Sequence, residues 1–282
     1  MERELQNSIK EALQRTAGLT LVPPVCTGSF EGSRTGCRTG GAMEFADYRS
    51  YRQGDELRHV DWRLYARSDQ LMVRRFAQET DPRCDIIIDC SASMDFYRKN
   101  AAAAGLGAIF AQSALNAGFS LQVWLLHDTL LKLREPETPL LWELPAKGST
   151  ESSGKAFETL SAGLFRNGVR ILISDLFFDL SPETVMQKLG YGNSVVIQVL
   201  GDEELTPRLS GNISVTDPES GESKLISVSP ETLEKYKANL EHFQRRYAET
   251  LNAYNSCFFS FNAASVTENW NMELFCREGI LQ

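Results

Sequence analysis

Apolar residues recur at helical spacing at the start of the chain, where Leu5, Ile9, Ala12 and Leu13 form a stripe that Gly18 and the Pro23, Pro24 pair bring to an end. The stripe predicts a first helix that docks on something larger. Between residues 27 and 41 the pattern gives way to Gly, Ser, Thr and Arg, which reads as a loop or an irregular β segment. After Arg83 the texture changes. Short β-rich runs at 84–89, 120–127, 169–174 and 194–200 alternate with helical stretches at 98–117 and 183–189. That rhythm predicts an α/β domain with a mainly parallel sheet and helices on both faces. The run 130–134 follows its predecessor too closely for a crossover helix, so it is expected to pair antiparallel at an edge. Further on, 213–215 and 225–228 flank the turn-rich "TDPESGES" and predict a hairpin near 211–228. A long helix over 230–254 and a last strand at 257–261 complete the pattern.

Composition narrows the classes of function. The 282 residues carry a formal charge of −8, with 42% hydrophobic and 23% charged positions, the balance of a mildly acidic globular protein. It supplies no general attraction to nucleic acid or to an anionic membrane. Glu2, Arg3 and Glu4 stand where a signal peptide needs an apolar core, and no stretch approaches the roughly 18 apolar residues of a membrane span. A cytoplasmic location is the expectation. Cys26, Cys37, Cys84, Cys90, Cys257 and Cys276 form no CxxC pair, and His59, His127 and His242 lie far apart, so the cysteines read as reduced, small apolar residues rather than zinc ligands.

Open α/β sheets bind ligands beyond the carboxyl ends of their parallel strands. The first such end carries "DCSASMDF", in which Asp89, Ser91 and Ser93 alternate along a loop where their oxygens can converge. Asp175 ends the run Ile171, Leu172, Ile173, Ser174 at a neighbouring strand end. Between them, "KGSTESSGK" places Thr150 in a loop before a helix that begins near Ser153, with Ser149, Ser152 and Ser153 as alternative hydroxyls. Two carboxylates and three hydroxyls, all oxygen, suit Mg²⁺ or Mn²⁺ better than zinc or copper.

Other motifs have plainer readings. "GSTESSGKA" has five residues between Gly148 and Gly154, and Ala156 stands where a phosphate loop needs Ser or Thr. Gly105 and Gly107 lie inside a predicted helix, so they are packing positions rather than a dinucleotide fingerprint. Cys90 has no nucleophile elbow or placed histidine, and His127 with Asp128 reads as a polar pair at a strand end. Ser93 has a structural alternative as the N-cap of the helix beyond it, a role compatible with metal binding.

The D-x-S-x-S pattern with a later Thr and a strand-end Asp resembles the metal-ion-dependent adhesion site of von Willebrand factor A domains. Carried over, Ser91 and Ser93 would ligate directly, Thr150 directly or through water, and Asp89 and Asp175 mostly through water. The stretch from Gly40 to Phe76, with E-F, R-x-Y, G-D-x-x-R-x-x-D-W and A-R in order, is similar to the bacterial family called domain of unknown function 58. Asp217, Glu219, Gly221 and Glu222 fit that family's D-x-E-x-G-E hairpin. The resemblance spans roughly residues 27–280. It implies a von Willebrand factor A-like, Rossmann-like fold over 83–282 with an irregular or β N-terminal segment, 1–82, packed on it. It also implies a non-enzymatic, Mg²⁺- or Mn²⁺-dependent interaction module, an adaptor or co-chaperone for a MoxR-type AAA+ ATPase. The alternative is a phosphatase-like hydrolase that uses the same oxygens.

Glu44, Arg49, Tyr51, Asp55, Arg58, Asp61, Trp62 and Arg67 form the densest charged stretch. Seven arginines, at 49, 52, 58, 63, 67, 74 and 75, face Asp47, Asp55, Glu56, Asp61 and Asp69, so the charges nearly cancel. Alternating signs around Trp62 and Tyr65 favour an internal Arg–carboxylate network that fixes an irregular loop, with a docking role possible on top. A nucleic-acid surface would need an excess of cations that this stretch lacks.

Overall fold

The computed structural model describes residues 2–22, 43–51, 60–78, 83–145, 148, 153–159, 168–218 and 221–282. Close packing divides the chain into a large unit, Met1–Val25 with Pro82–Gln282, and a small one, Cys26–Asp81. The first helix, α1 (Glu2–Arg15), therefore belongs to the large unit, whereas the sequence reading grouped it with everything before residue 83.

In the small unit, strand β1 (Met43–Ser50) pairs antiparallel with β2 (Met72–Gln78), and helix α2 (Trp62–Ser68) lies between them in sequence. Asp61 is buried and starts that helix: one carboxylate oxygen accepts from the backbone N–H groups of Arg63 and Leu64, both at 3.0 Å. The other accepts from the Tyr48 hydroxyl at 2.9 Å. These are the contacts of a helix cap, worth roughly 1 kcal/mol against alanine. Trp62 is exposed and meets Tyr65 edge-on, and Arg67 sits in the last turn of α2, where a cation complements the helix dipole. The N–H of Tyr51 donates to the Leu71 carbonyl. Asp55 and Arg58, and the side chains of Glu44 and Arg49, lie outside the described residues.

The large unit is built on a six-stranded sheet. Its strands are β3 (Arg83–Asp89), β4 (Ser120–Leu126), β5 (Leu130–Lys132), β6 (Val169–Ser174), β7 (Ser194–Leu200) and, after the hairpin of β8 (Gly211–Thr216) and β9 (Ser223–Val228), β10 (Cys257–Asn262). The spatial order is β10-β7-β6-β3-β4-β5, parallel throughout except for β5, which pairs antiparallel with β4 at the edge. This is a mixed α/β architecture with a mostly parallel sheet flanked by helices. Because β3 is followed by β4 on one side and later by β6 on the other, the chain reverses its direction of winding between β3 and β6. Such a switch point opens a crevice at the carboxyl ends of the two strands.

Both faces of the sheet are covered, which is why β3, β6 and β7 are buried almost end to end. On one face Ile86, Ile88, Ile171 and Ile197 meet α1 and α3 (Lys99–Asn116). Helices α8 (Ala263–Asn269) and α9 (Glu273–Arg277), after β10, close the same face; the strand and helix pattern had not resolved these two. On the other, Ile87, Leu172 and Val196 meet α4 (Ser153–Glu158), α5 (Pro182–Leu189) and α7 (Pro230–Ala253). Helix α3 is apolar nearly all round because it is sandwiched between the sheet and α1. Its glycines are close-approach positions: a Cβ on Gly105 would overlap the Trp270 ring, and one on Gly107 would overlap Ile88.

Candidate metal centre

The structure brings four of the five sequence-predicted ligands to the switch point. Asp89 ends β3, Ser91 and Ser93 follow in a tight loop whose residues 92–95 form one turn of 3-10 helix, and Asp175 follows β6, the neighbouring strand. The fifth, Thr150, lies outside the described residues, as do Ser149 and Ser152. The loop that leads to it is nevertheless anchored at the site. The N–H of Gly148 donates to Asp95 Oδ2 at 2.8 Å, and a Cβ on Gly148 would overlap the Ser91 carbonyl.

Each oxygen has a defined environment. Asp89 is buried and accepts from the Ser91 N–H at 2.9 Å through Oδ1 and from the Ser174 hydroxyl at 2.6 Å through Oδ2. The same Ser174 Oγ accepts from the N–H of Leu176, so the last residue of β6 ties the two strand ends together. The hydroxyls of Ser91 and Ser93 share a hydrogen bond at 3.0 Å, with either one able to donate. Ser93 sits inside the 3-10 turn, and the helix beyond begins at Lys99, so the N-cap alternative does not hold.

Asp175 is engaged on both oxygens. Oδ1 accepts from the Phe177 N–H at 3.1 Å and Oδ2 from the Lys99 ammonium at 2.8 Å. Lys99 Nζ also donates to Glu204 Oε1 at 2.6 Å. Glu204 lies on the short helix α6 (Asp202–Leu205) after β7, and its other oxygen accepts from the Gly201 N–H at 2.7 Å. Sequence reasoning missed Lys99 and Glu204. The signal was there: Lys99 is the charged residue that opens an otherwise apolar helix, and "GDEEL" begins at the carboxyl end of a parallel strand.

Electrostatics mark the cluster as short of positive charge. Burial, and next the charge of Asp175, push the Asp89 carboxyl up to about 6 against the hydrogen bonds from Ser174 and Ser91. Burial alone would lower the Lys99 ammonium, yet Asp175 and Glu204 outweigh it and hold its pKa above the ordinary value. Burial and the neighbouring Asp89 and Asp95 push the Cys90 thiol far up, so it stays protonated and poorly nucleophilic.

The residues fit a small divalent cation. An octahedron with metal–oxygen bonds of about 2.1 Å has ligand oxygens about 3.0 Å apart along each edge, the spacing of the Ser91 and Ser93 hydroxyls. Among the described residues no three His, Cys, Asp or Glu side chains converge as ligands, so a cation here would rest on hydroxyls and water. The surrounding backbone is strained: Tyr97, Arg98 and Leu176, three of the seven described non-glycine residues with positive φ, flank the cluster. The strained segments present Phe96, Tyr97 and Phe177 to solvent around the oxygens, each about half exposed.

The family described as "Protein of unknown function DUF58" matches residues 47–246, more than half of the chain. The chain belongs to the DUF58 family. Uncharacterized proteins of Mycobacterium bovis and Mycobacterium tuberculosis are 25% identical to this DUF58 protein over 239 residues, which cover 78% of this chain and 74% of each relative. Among the described residues no helix is long and apolar enough to cross a membrane.

Proposed function

We propose that this DUF58 protein is a metal-dependent protein-interaction module of the von Willebrand factor A type. Ser91 and Ser93 hold Mg²⁺ or Mn²⁺ directly, Thr150 holds it directly or through water, and Asp89 and Asp175 stabilise it mostly through water. The observation that carries the reading is the serine pair at metal-octahedron spacing, facing two buried carboxylates from adjacent strand ends at the switch point of the sheet. A bound divalent ion supplies one electrophilic position for an oxygen from outside the chain. Asp89 and Asp175 are turned toward protein donors, so they leave the ion only partly neutralised at close range, and a partner's Glu or Asp completes it. The exposed rings of Phe96, Tyr97 and Phe177 around that position provide the desolvating rim that protein partners favour.

The partner is a protein carboxylate, in the adaptor or co-chaperone role with a MoxR-type AAA+ ATPase that the family resemblance implies, in the cytoplasm. The test is a pull-down from native cells with the intact chain and with Asp89→Ala, in Mg²⁺ and in EDTA. The reading requires a partner retained only by the intact chain in Mg²⁺. Metal-dependent turnover of phosphate or ester substrates that is lost in Asp89→Ala would instead establish the hydrolase alternative.

A further inference from the structure

Lys99 is an anomaly on every local rule. Its side chain is fully buried, it opens a helix whose N-terminal dipole repels cations, and it stands beside a site that a metal ion would make still more positive. The carboxylates explain it. Three of them, Asp89, Asp175 and Glu204, come from the carboxyl ends of β3, β6 and β7, three adjacent strands, and Lys99 bridges the last two at 2.8 Å and 2.6 Å. Asp95 and Arg98 also lie nearby, Asp95 half-buried on the Gly148 N–H and Arg98 exposed, and their opposite signs offset each other.

We infer that Lys99 and Glu204 set the charge of the ion this site takes: among the described residues the buried carboxylates of Asp89 and Asp175, the part-buried carboxylate of Glu204 and one ammonium leave a fixed charge of −2, which a divalent cation neutralises. The inference rests on the reading of the cluster as a metal site and adds a selectivity that the hydroxyl ligands cannot provide. Neutral serine oxygens recognise the size and hardness of an ion, whereas in a buried site the sum of nearby fixed charges discriminates by valence. Lys99 acts without touching the ion, as a positioning residue that holds Asp175 and offsets one acid. Glu204 acts the same way from the opposite side, held in place by the Gly201 N–H and by its helix, whose carbonyl at Glu204 accepts from the Tyr236 hydroxyl.

The test is a charge cycle on the full chain, read as Mn²⁺ affinity by the loss of the free-ion electron paramagnetic resonance signal and as Tb³⁺ affinity by luminescence. Glu204→Gln leaves −1 and should weaken Mn²⁺ about tenfold, and Lys99→Met leaves −3 and should tighten Mn²⁺ about tenfold and Tb³⁺ by more. The double variant, Lys99→Met with Glu204→Gln, restores −2 and should return Mn²⁺ to within about threefold of the unmodified chain. It also removes one of the two acids that lose the ammonium, so together with Glu204→Gln it decides the matter if Lys99→Met alone does not fold. Unchanged Mn²⁺ affinity in Glu204→Gln, or a double variant as weak as Glu204→Gln, overturns the inference. Asp89→Ala separates the two levels. If it abolishes Mn²⁺ binding while the charge variants change nothing, the metal site stands and the valence rule fails; if it leaves Mn²⁺ binding intact, the site itself is wrong.

Discussion

The two ends of the same pair of strands carry opposite kinds of buried charge. At the amino end of β3 and β6, Asp85 accepts from the Arg83 guanidinium at 2.7 Å and from the Trp124 indole at 3.0 Å. Its register partner on β6 is Arg170, whose guanidinium donates to the Gly192 carbonyl and feels the charge of Asp85. One acid there faces two fixed cations, so the excess charge is positive and disfavours an external cation. At the carboxyl end, among the described residues, Asp89, Asp175 and Glu204 face Lys99 alone. The same scaffold therefore builds a closed ionic cluster at one end and an open one at the other, and the open one is where the proposed cation would sit. Burial does not separate a structural cluster from a binding site; the charge balance does.

The largest effect should come from breaking each cluster. Asp85→Ala strands the arginines and should cost about 3–5 kcal/mol, seen in denaturant titrations as the same loss in Mg²⁺ and in EDTA. Lys99→Met should cost a comparable amount in EDTA, but Mg²⁺ or Mn²⁺ should recover part of it, because the stranded acids gain a counter-ion. Equal losses in both conditions for both variants would erase the distinction between the two ends.

Next in size is a pH effect confined to the open end. The Asp89 carboxyl is raised to about 6 in the folded, metal-free protein against an ordinary 3.8. Between those values the folded state holds a proton that the unfolded chain has released, so this contribution to stability is present below about pH 4 and is lost as pH rises through about 6. In EDTA, Asp89→Asn should therefore be more stable than the unmodified protein at pH 8 by about 2–3 kcal/mol, and near equal to it at pH 4. Chemical denaturation at the two pH values checks this, and a variant that is less stable at pH 8 would contradict it.

Metal addition should act more modestly. An ion at about ten times its dissociation constant stabilises by about 1.4 kcal/mol through mass action, which for a domain of this size raises the melting temperature by about 3–5 °C. Asp85→Ala should keep that shift and Asp89→Ala should lose it. Smallest of all, Phe177→Ser at the exposed rim should change stability by less than about 0.5 kcal/mol while weakening capture of the partner at least tenfold, as measured by quantitative pull-down.

Much of the fold was legible in the sequence because the strands of the sheet are short apolar runs and the helices between them have clear periodicity. The antiparallel β5 followed from the three residues that separate it from β4. Helices α8 and α9 did not stand out, since at seven and five residues neither is long enough to show a helical period. Of the site, Asp89, Ser91, Ser93 and Asp175 could be read because strand ends and alternate spacing are local properties. Lys99 and Glu204 could not be paired from the sequence: 105 residues separate them, and only the winding of α3 and β7 onto one sheet brings them together. Asp61, placed by its sequence in a broad Arg–carboxylate stretch, also has a local role as a helix cap that accepts from a tyrosine hydroxyl.

The central claim is that the open end holds a divalent ion on the Ser91 and Ser93 hydroxyls. Crystals of the intact chain grown with Mn²⁺ and measured for anomalous scattering test it most directly. The account predicts one peak about 2.2 Å from both serine oxygens, with the Lys99 ammonium still on Asp175. A peak elsewhere, or an empty loop at a Mn²⁺ concentration that raises the melting temperature, would contradict it.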